Sequence, residues 1–310
     1  MNNLSVCAIR MGFAGLLLVT AAAYAAEAEK HEGKATSKLD TTAIEKAIGK
    51  AGEMKDGVYK VSLPRTDLSV SVKDFKVKPG LALGSWVAFK DTGGQAVVDG
   101  DLVLTEDEVT PVFQKLRKEG IDVTALHNHL IGETPRVMFL HIAAKGNPAK
   151  LAAGIKAALS LTKTPIEAGG KTAPEEAGFN TDKIQETLGH KGQVKGGVLQ
   201  VSIPRSEHIK MEGVTLPPSM GMATALNFQA AGDGKVAATG DFVLTRDEVN
   251  RVTKALAENG IAVTALHNHL VHGTPDLYFM HFWANDSADK VAKGLKAGLD
   301  AMKKSDKESS

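Results

Sequence analysis

One cysteine occurs in 310 residues, Cys7, and it lies ahead of an apolar segment that reads as a removable export signal. A chain left without cysteine has neither disulfides nor thiolate metal sites. Metal chemistry would then fall to histidine, of which there are 10. Aromatic residues are few, at 5%, and neither sign of charge dominates, with Lys plus Arg at 37 and Asp plus Glu at 36. That balance excludes counterion-release binding of nucleic acid as the main role. A run of roughly 20 apolar residues able to span a bilayer is also missing. What is present, 43% hydrophobic and 24% charged residues, is the composition of a folded chain with room for about two domains.

Arg10 precedes an apolar run over 11–23, and Ala23-Tyr24-Ala25 places small residues on either side of a cleavage point. Residues 1–26 therefore read as a signal peptide, and the expected product is a free periplasmic or secreted protein with no membrane span. Removal of Arg10 leaves 36 basic against 36 acidic residues.

The strongest internal signal is duplication. Residues 100–142 align without gaps on 240–282, with 24 of 43 positions identical, and Val61-Ser62-Leu63-Pro64-Arg65 matches Val201-Ser202-Ile203-Pro204-Arg205 at the same offset of 140. The expected organisation is a polar segment over 27–38, a first repeat over 39–162, a Gly-, Pro- and Glu-rich linker over 163–180, a second repeat over 181–303 and a polar tail over 304–310. Thr42 with Glu45 and Asp182 with Gln185 resemble capping boxes, as do Thr105 with Glu108 and Thr245 with Glu248. Gly120 and Gly260 are placed to end the helices that follow the latter two. A third helix is predicted from Pro148, carrying Leu151, Ile155 and Leu159. Strands are predicted over 58–63, 86–90, 97–104, 121–130 and 136–144. This order implies an α+β fold, two tandem homologous domains, each a largely antiparallel sheet with helices packed on it.

Chemistry concentrates where the last two strands of each unit meet. The first copy has His127, Asn128, His129, Glu133 and His141; the second has His267, Asn268, His269, Gly273 and His281. Residues two apart in a strand share a face, so His127 and His129 are expected to project together beside Ile121, Val123 and Ala125. A hairpin of suitable register adds His141. Three imidazoles suit a divalent ion, zinc foremost, with manganese, iron and copper as alternatives. Glu133 is the candidate fourth ligand or catalytic base, and Gly273 takes its place in the second copy. The competing reading is a hydrogen-bonded structural cluster preserved by duplication. Arg65 and Arg205 are candidate clamps for an anionic ligand, with an ion pair as the alternative. Asp101 and Asp241 read as turn or strand-edge residues, Asn128 and Asn268 as ties between hairpin and helix, and Trp86 as core or pocket wall.

Ala125-Leu126-His127-Asn128-His129-Leu130, the following Pro135 and His141, and Gly-Asp-Leu-Val-Leu-Thr over 100–105 resemble the DUF1259 family, also called LppY/LpqO after mycobacterial lipoproteins. The resemblance extends over nearly the whole mature chain and implies no established activity. The lipoprotein members carry a lipobox cysteine that this chain lacks, so anchoring by a lipid is not expected.

Three functions are open to such a sequence. The first is an exported metal-binding protein with a three-histidine site per repeat, His127, His129 and His141 in one and His267, His269 and His281 in the other, able to act as a metal-dependent hydrolase through Glu133. The second is a non-catalytic envelope module that binds a small molecule or a protein partner. The third is copper or zinc buffering.

Overall fold

The computed structural model describes residues 39–166 and 175–303, which belong to one compact unit. The expected signal peptide and polar segment, the middle of the expected linker and the expected tail lie outside the described residues. The first repeat contains β1 (Glu53–Lys55), β2 (Val58–Pro64), β3 (Val70–Val72), β4 (Phe75–Val77), β5 (Gly84–Asp91), β6 (Ala96–Thr105), β7 (Asp122–His127), β8 (Glu133–Thr134) and β9 (Val137–Gly146). The second repeats the pattern as β10 (Gly192–Lys195), β11 (Val198–Pro204), β12 (Lys210–Met211), β13 (Val214–Thr215), β14 (Ala223–Gly232), β15 (Lys235–Thr245), β16 (Ala262–His267), β17 (Gly273–Thr274) and β18 (Leu277–Ser287).

Each half is α+β. Its main sheet has six antiparallel strands, in the order β1-β2-β5-β6-β9-β7 and, in the second half, β10-β11-β14-β15-β18-β16; a three-stranded sheet accompanies each. The helices Glu106–Lys118 and Arg246–Glu258 start on the expected capping boxes at Thr105 and Thr245. Two other helix starts differ from expectation. Asp40, not Thr42, caps Thr41–Ile48 by accepting from the Ala43 N–H, and Asn180, not Asp182, caps Thr181–Leu188 through Lys183. In both cases the residue just outside the helix has the short polar side chain that reaches a free first-turn donor.

Alternation along each strand divides the sheet into two faces. Tyr59, Val61, Leu63, Val98, Leu102, Leu104, Leu140 and Ile142 join helix residues in the core of the first repeat, and Leu199, Val201, Leu226, Phe228, Phe242 and Leu244 do so in the second. The opposite faces pack against each other. One shared apolar cluster contains Val58, Ala88 and Val97 with Met220, Met222, Val243 and Phe279. Another contains Val103, Leu130 and Phe139 with Val198 and Ala237. The order across the molecule is thus helices, sheet, sheet, helices. On β6 the inward residues are Val97, Asp99, Asp101 and Val103, so acidic groups occupy the middle of a layer that is apolar at both ends.

Candidate metal centre

The histidines sit in that middle layer. On β7 a bulge between Val123 and Ala125 interrupts the pairing with β9, after which Ala125 lies opposite His141 and His127 opposite Phe139. Ile121 and Val123 therefore face the helices with the first core, whereas Ala125, His127 and His141 face the other repeat. The expected uninterrupted alternation is corrected by this extra residue, which switches the side on which all later side chains emerge. An equivalent bulge separates Val263 and Ala265 on β16. Asp101 pairs with His141 and Asp241 with His281 in the adjacent register, placing both aspartates beside histidines rather than at strand edges or turns.

All six imidazoles meet between the repeats. Ring centroids are 3.5 Å apart for His127 and His267, 3.7 Å for His129 and His281, and 3.8 Å for His141 and His269. Each close pair takes one ring from each half. Rings of one repeat thus meet rings of the other as well as one another. His127, His129 and His281 bring ligand atoms within 4.8 Å of one another, and Asp101, His129 and His141 form a second such group sharing His129.

Local hydrogen bonds set two of the rings. A carbonyl can only accept, so Nδ1–H of His281 donates to the Gly240 oxygen at 3.0 Å and Nδ1–H of His127 to the Asn128 oxygen at 3.2 Å. This leaves the Nε2 lone pairs for the site, the usual way an outer hydrogen bond orients a metal-binding histidine. His281 Nε2 lies 3.0 Å from His267 Nε2. Among the described residues, Nε2 of His127 and His129, both ring nitrogens of His141, Nδ1 of His267 and His269, and Oδ1 of Asp101 are buried without a hydrogen-bond partner. The Asp101 carboxylate stands 3.7 Å from His141 Nε2.

Burial suppresses the charged form of every ring. It lowers His127 to about 4 and His267, which also faces His127, to about 3. His129, His141, His269 and His281 fall well below the ordinary imidazole value for the same reason, reinforced by their neighbours. Burial acts oppositely on the carboxyls, raising Asp99 and Asp241 to about 7 and, with the charges of Asp241 and Asp99 added, Asp101 well above its usual range. The unfolded chain below about pH 6.5 binds protons that the six folded rings refuse, whereas above about pH 4 it releases protons that the three folded carboxyls keep. Rings outnumber carboxyls two to one. Metal-free protein is therefore expected to lose stability as the pH falls from 6.5 towards 4, seen as a lower urea midpoint at pH 5 than at pH 7.5. An unchanged or higher midpoint at pH 5 would mean that the rings are not held neutral.

The other candidate residues have different surroundings. Glu133 is buried on β8, pairs through its strand with β3 in the small sheet, and accepts from the Val137 N–H at 3.4 Å. It belongs to neither ligand group. Arg65 is fully buried and directs all five N–H bonds inward, to Asp67, Glu108 and the Val103 oxygen. Arg205 does the same with Glu207, Glu248 and the Val243 oxygen. The anion-clamp expectation is corrected in both cases, because protein acceptors consume the guanidinium donors. Asn128 ties β7 to the other repeat through the Thr264 oxygen rather than to a helix, and Thr264 Oγ1 donates to the His129 oxygen at 2.6 Å.

A family model described as Domain of Unknown Function (DUF1259) matches residues 42–161 and again 182–301. The chain belongs to this family. Both DUF1259 matches include one His-Asn-His segment and one cross-strand histidine, so the mixed centre is formed by two units of one family. No curated protein matches the chain. Among solved structures, the chain shows a weak likeness to a trimeric bacterial microcompartment shell protein, PduB, at 14% identity over 81% of this chain and 90% of that chain, with a TM-score of 0.22. EtuB from Clostridium kluyveri gives 8% identity, 81% and 91% coverage and 0.19. EutL from Clostridium perfringens gives 12%, 79% and 89%, and 0.17. No described helix is long and apolar enough to cross a membrane.

Proposed function

We propose that this is an exported metal-binding protein with one centre, shared by the two repeats, in which His127, His129 and His281 hold a divalent transition ion. The observation that carries the reading is the set of buried, unpartnered ring nitrogens aimed into one layer. Leaving such atoms without partners costs about 1–3 kcal/mol each, a cost that coordination removes. Neutral imidazoles are the ligand form, and burial keeps them neutral at pH 7. Nitrogen donors with an adjoining carboxylate suit zinc first, with copper, iron and manganese as alternatives. Because His129 belongs to both groups, one ion per chain is expected.

A bound ion of this kind lowers the pKa of coordinated water, which is the basis for the hydrolase reading. The residues at the centre supply the ligands and exclude solvent, and Asp101, not Glu133, is the carboxylate beside them. Elemental analysis of protein purified without added metal tests the proposal. The full chain is expected to carry close to one equivalent, and a His127→Ala/His129→Ala variant none. Negligible metal in both would overturn it. Turnover of esters, phosphoesters or lactones by the loaded protein would then separate hydrolysis from buffering.

A further inference from the structure

A centre built on His127, His129 and His281 leaves part of the layer unexplained. With those three rings engaged, both ring nitrogens of His141 and Oδ1 of Asp101 are still buried without a hydrogen-bond partner. These atoms are neighbours. His141 lies opposite Asp101 in the register of β6 and β9, its Nε2 stands 3.7 Å from Asp101 Oδ1, and the two residues are only 5% and 7% exposed.

The duplicate pair has settled differently. His281 donates through Nδ1 to the Gly240 oxygen at 3.0 Å and joins the all-histidine group. Asp241 is hydrogen-bonded by the backbone at Ala225 and belongs to neither ligand group. Duplication thus put the same two residue types in both halves, and among the described residues the first half alone keeps the carboxylate and the ring together with their donor atoms unused.

Asp101, His129 and His141 bring ligand atoms within 4.8 Å of one another. This donor set differs in kind from the other, with two imidazoles and a carboxylate in place of three imidazoles. Three neutral rings leave the whole charge of a divalent ion in a buried layer, where uncompensated charge is costly, whereas a carboxylate cancels half of it. Carboxylate oxygen also suits harder ions such as manganese, while imidazole nitrogen suits zinc and copper.

Resting on the reading that this layer holds a metal, we infer that Asp101, His129 and His141 form a second seat, for manganese(II), which cannot be filled together with the zinc seat because both draw on His129. Coordination requires the carboxylate form of Asp101, so the proton that burial keeps on it leaves to water as the ion is taken up. The chain holds a single ion at a time, in a position set by which ion is offered.

The test uses full-length protein stripped of metal, with manganese binding followed by the EPR signal of the free ion and zinc binding by competition with a chromogenic chelator. Wild type is expected to bind manganese and to release it when zinc is added. Asp101→Asn is expected to weaken manganese binding at least about tenfold and to leave zinc binding nearly unchanged, and His281→Ala to do the reverse. Asp241→Asn, at the matching position of the second repeat, is expected to change neither. His141→Ala removes the other ligand peculiar to this seat and is expected to repeat the Asp101→Asn pattern, which covers the case of an amide that disturbs folding. Manganese held equally by wild type, Asp101→Asn and His141→Ala, held by none of them, or retained in excess zinc would overturn the second seat. Zinc binding by wild type in any of those cases leaves the zinc centre standing, and failure to bind either ion removes both.

Discussion

His281→Ala is expected to empty the metal centre even though every ligand contributed by the first repeat remains. His281 supplies the third nitrogen to His127 and His129, and its ring lies 3.7 Å from that of His129. Loss of one of three protein ligands is expected to weaken binding by at least about a hundredfold. Competition with a chromogenic zinc chelator measures this directly, with His127→Ala as the matched substitution in the other half. If each repeat held its own ion, His281→Ala would remove one site and leave the His127 site at full affinity. The shared centre instead makes the two substitutions equivalent. Retention of a full equivalent by His281→Ala would sink the shared arrangement while leaving metal binding itself intact.

Arg65→Ala is expected to cause the largest loss of stability. The guanidinium is fully buried and joins the Asp67 carboxylate, the Glu108 carboxylate and the Val103 carbonyl. Its removal leaves the buried Glu108 carboxylate without its cation, and breaking a buried pair in this way costs about 3–5 kcal/mol. That is a large part of the roughly 5–15 kcal/mol that holds a domain together. Glu108 also completes the capping box of the Glu106–Lys118 helix by accepting from the Thr105 N–H at 3.0 Å, so the helix start loosens as well. Urea unfolding followed by circular dichroism measures the change. Arg65→Lys is expected to restore little, since an ammonium cannot reproduce the paired bonds of the planar group. A midpoint close to wild type for Arg65→Ala would mean that the arginine is not a structural support.

Repetition in the chain reveals the two halves because side chains that build a core recur at their own spacing. Capping boxes at Thr105 and Thr245 are legible because both partners lie within one helical turn. Local signals also point to the histidines, since His127 and His129 share a face whatever surrounds them. The partner choice is not legible. That His129 meets His281 as well as His141 depends on how one sheet lies on another, and no spacing along the chain encodes that. The bulge between Val123 and Ala125 is hidden for a related reason, as an unpaired residue leaves no mark on composition. Asp101 and Asp241 follow glycine and so resemble turn residues, but Gly100 and Gly240 mark close strand approach: a Cβ on Gly240 would stand 1.9 Å from the Ala225 oxygen. Arg65 and Arg205 look like ligand clamps until the carboxylates at 108 and 248, 43 positions away, are brought beside them.

Close ring pairs drawn one from each half carry a corollary about ancestry. A lone copy of the unit would bring only three of the six rings and would leave its inward sheet face, with Val97, Val103 and Phe139, open to water. Such a precursor would need to assemble with its own twin to cover that face and complete the cluster. Fusion into one polypeptide then frees each side to change alone, and glycine at 273 opposite glutamate at 133, or glutamine at 200 opposite lysine at 60, is the kind of divergence that an obligatory pair of identical subunits cannot record.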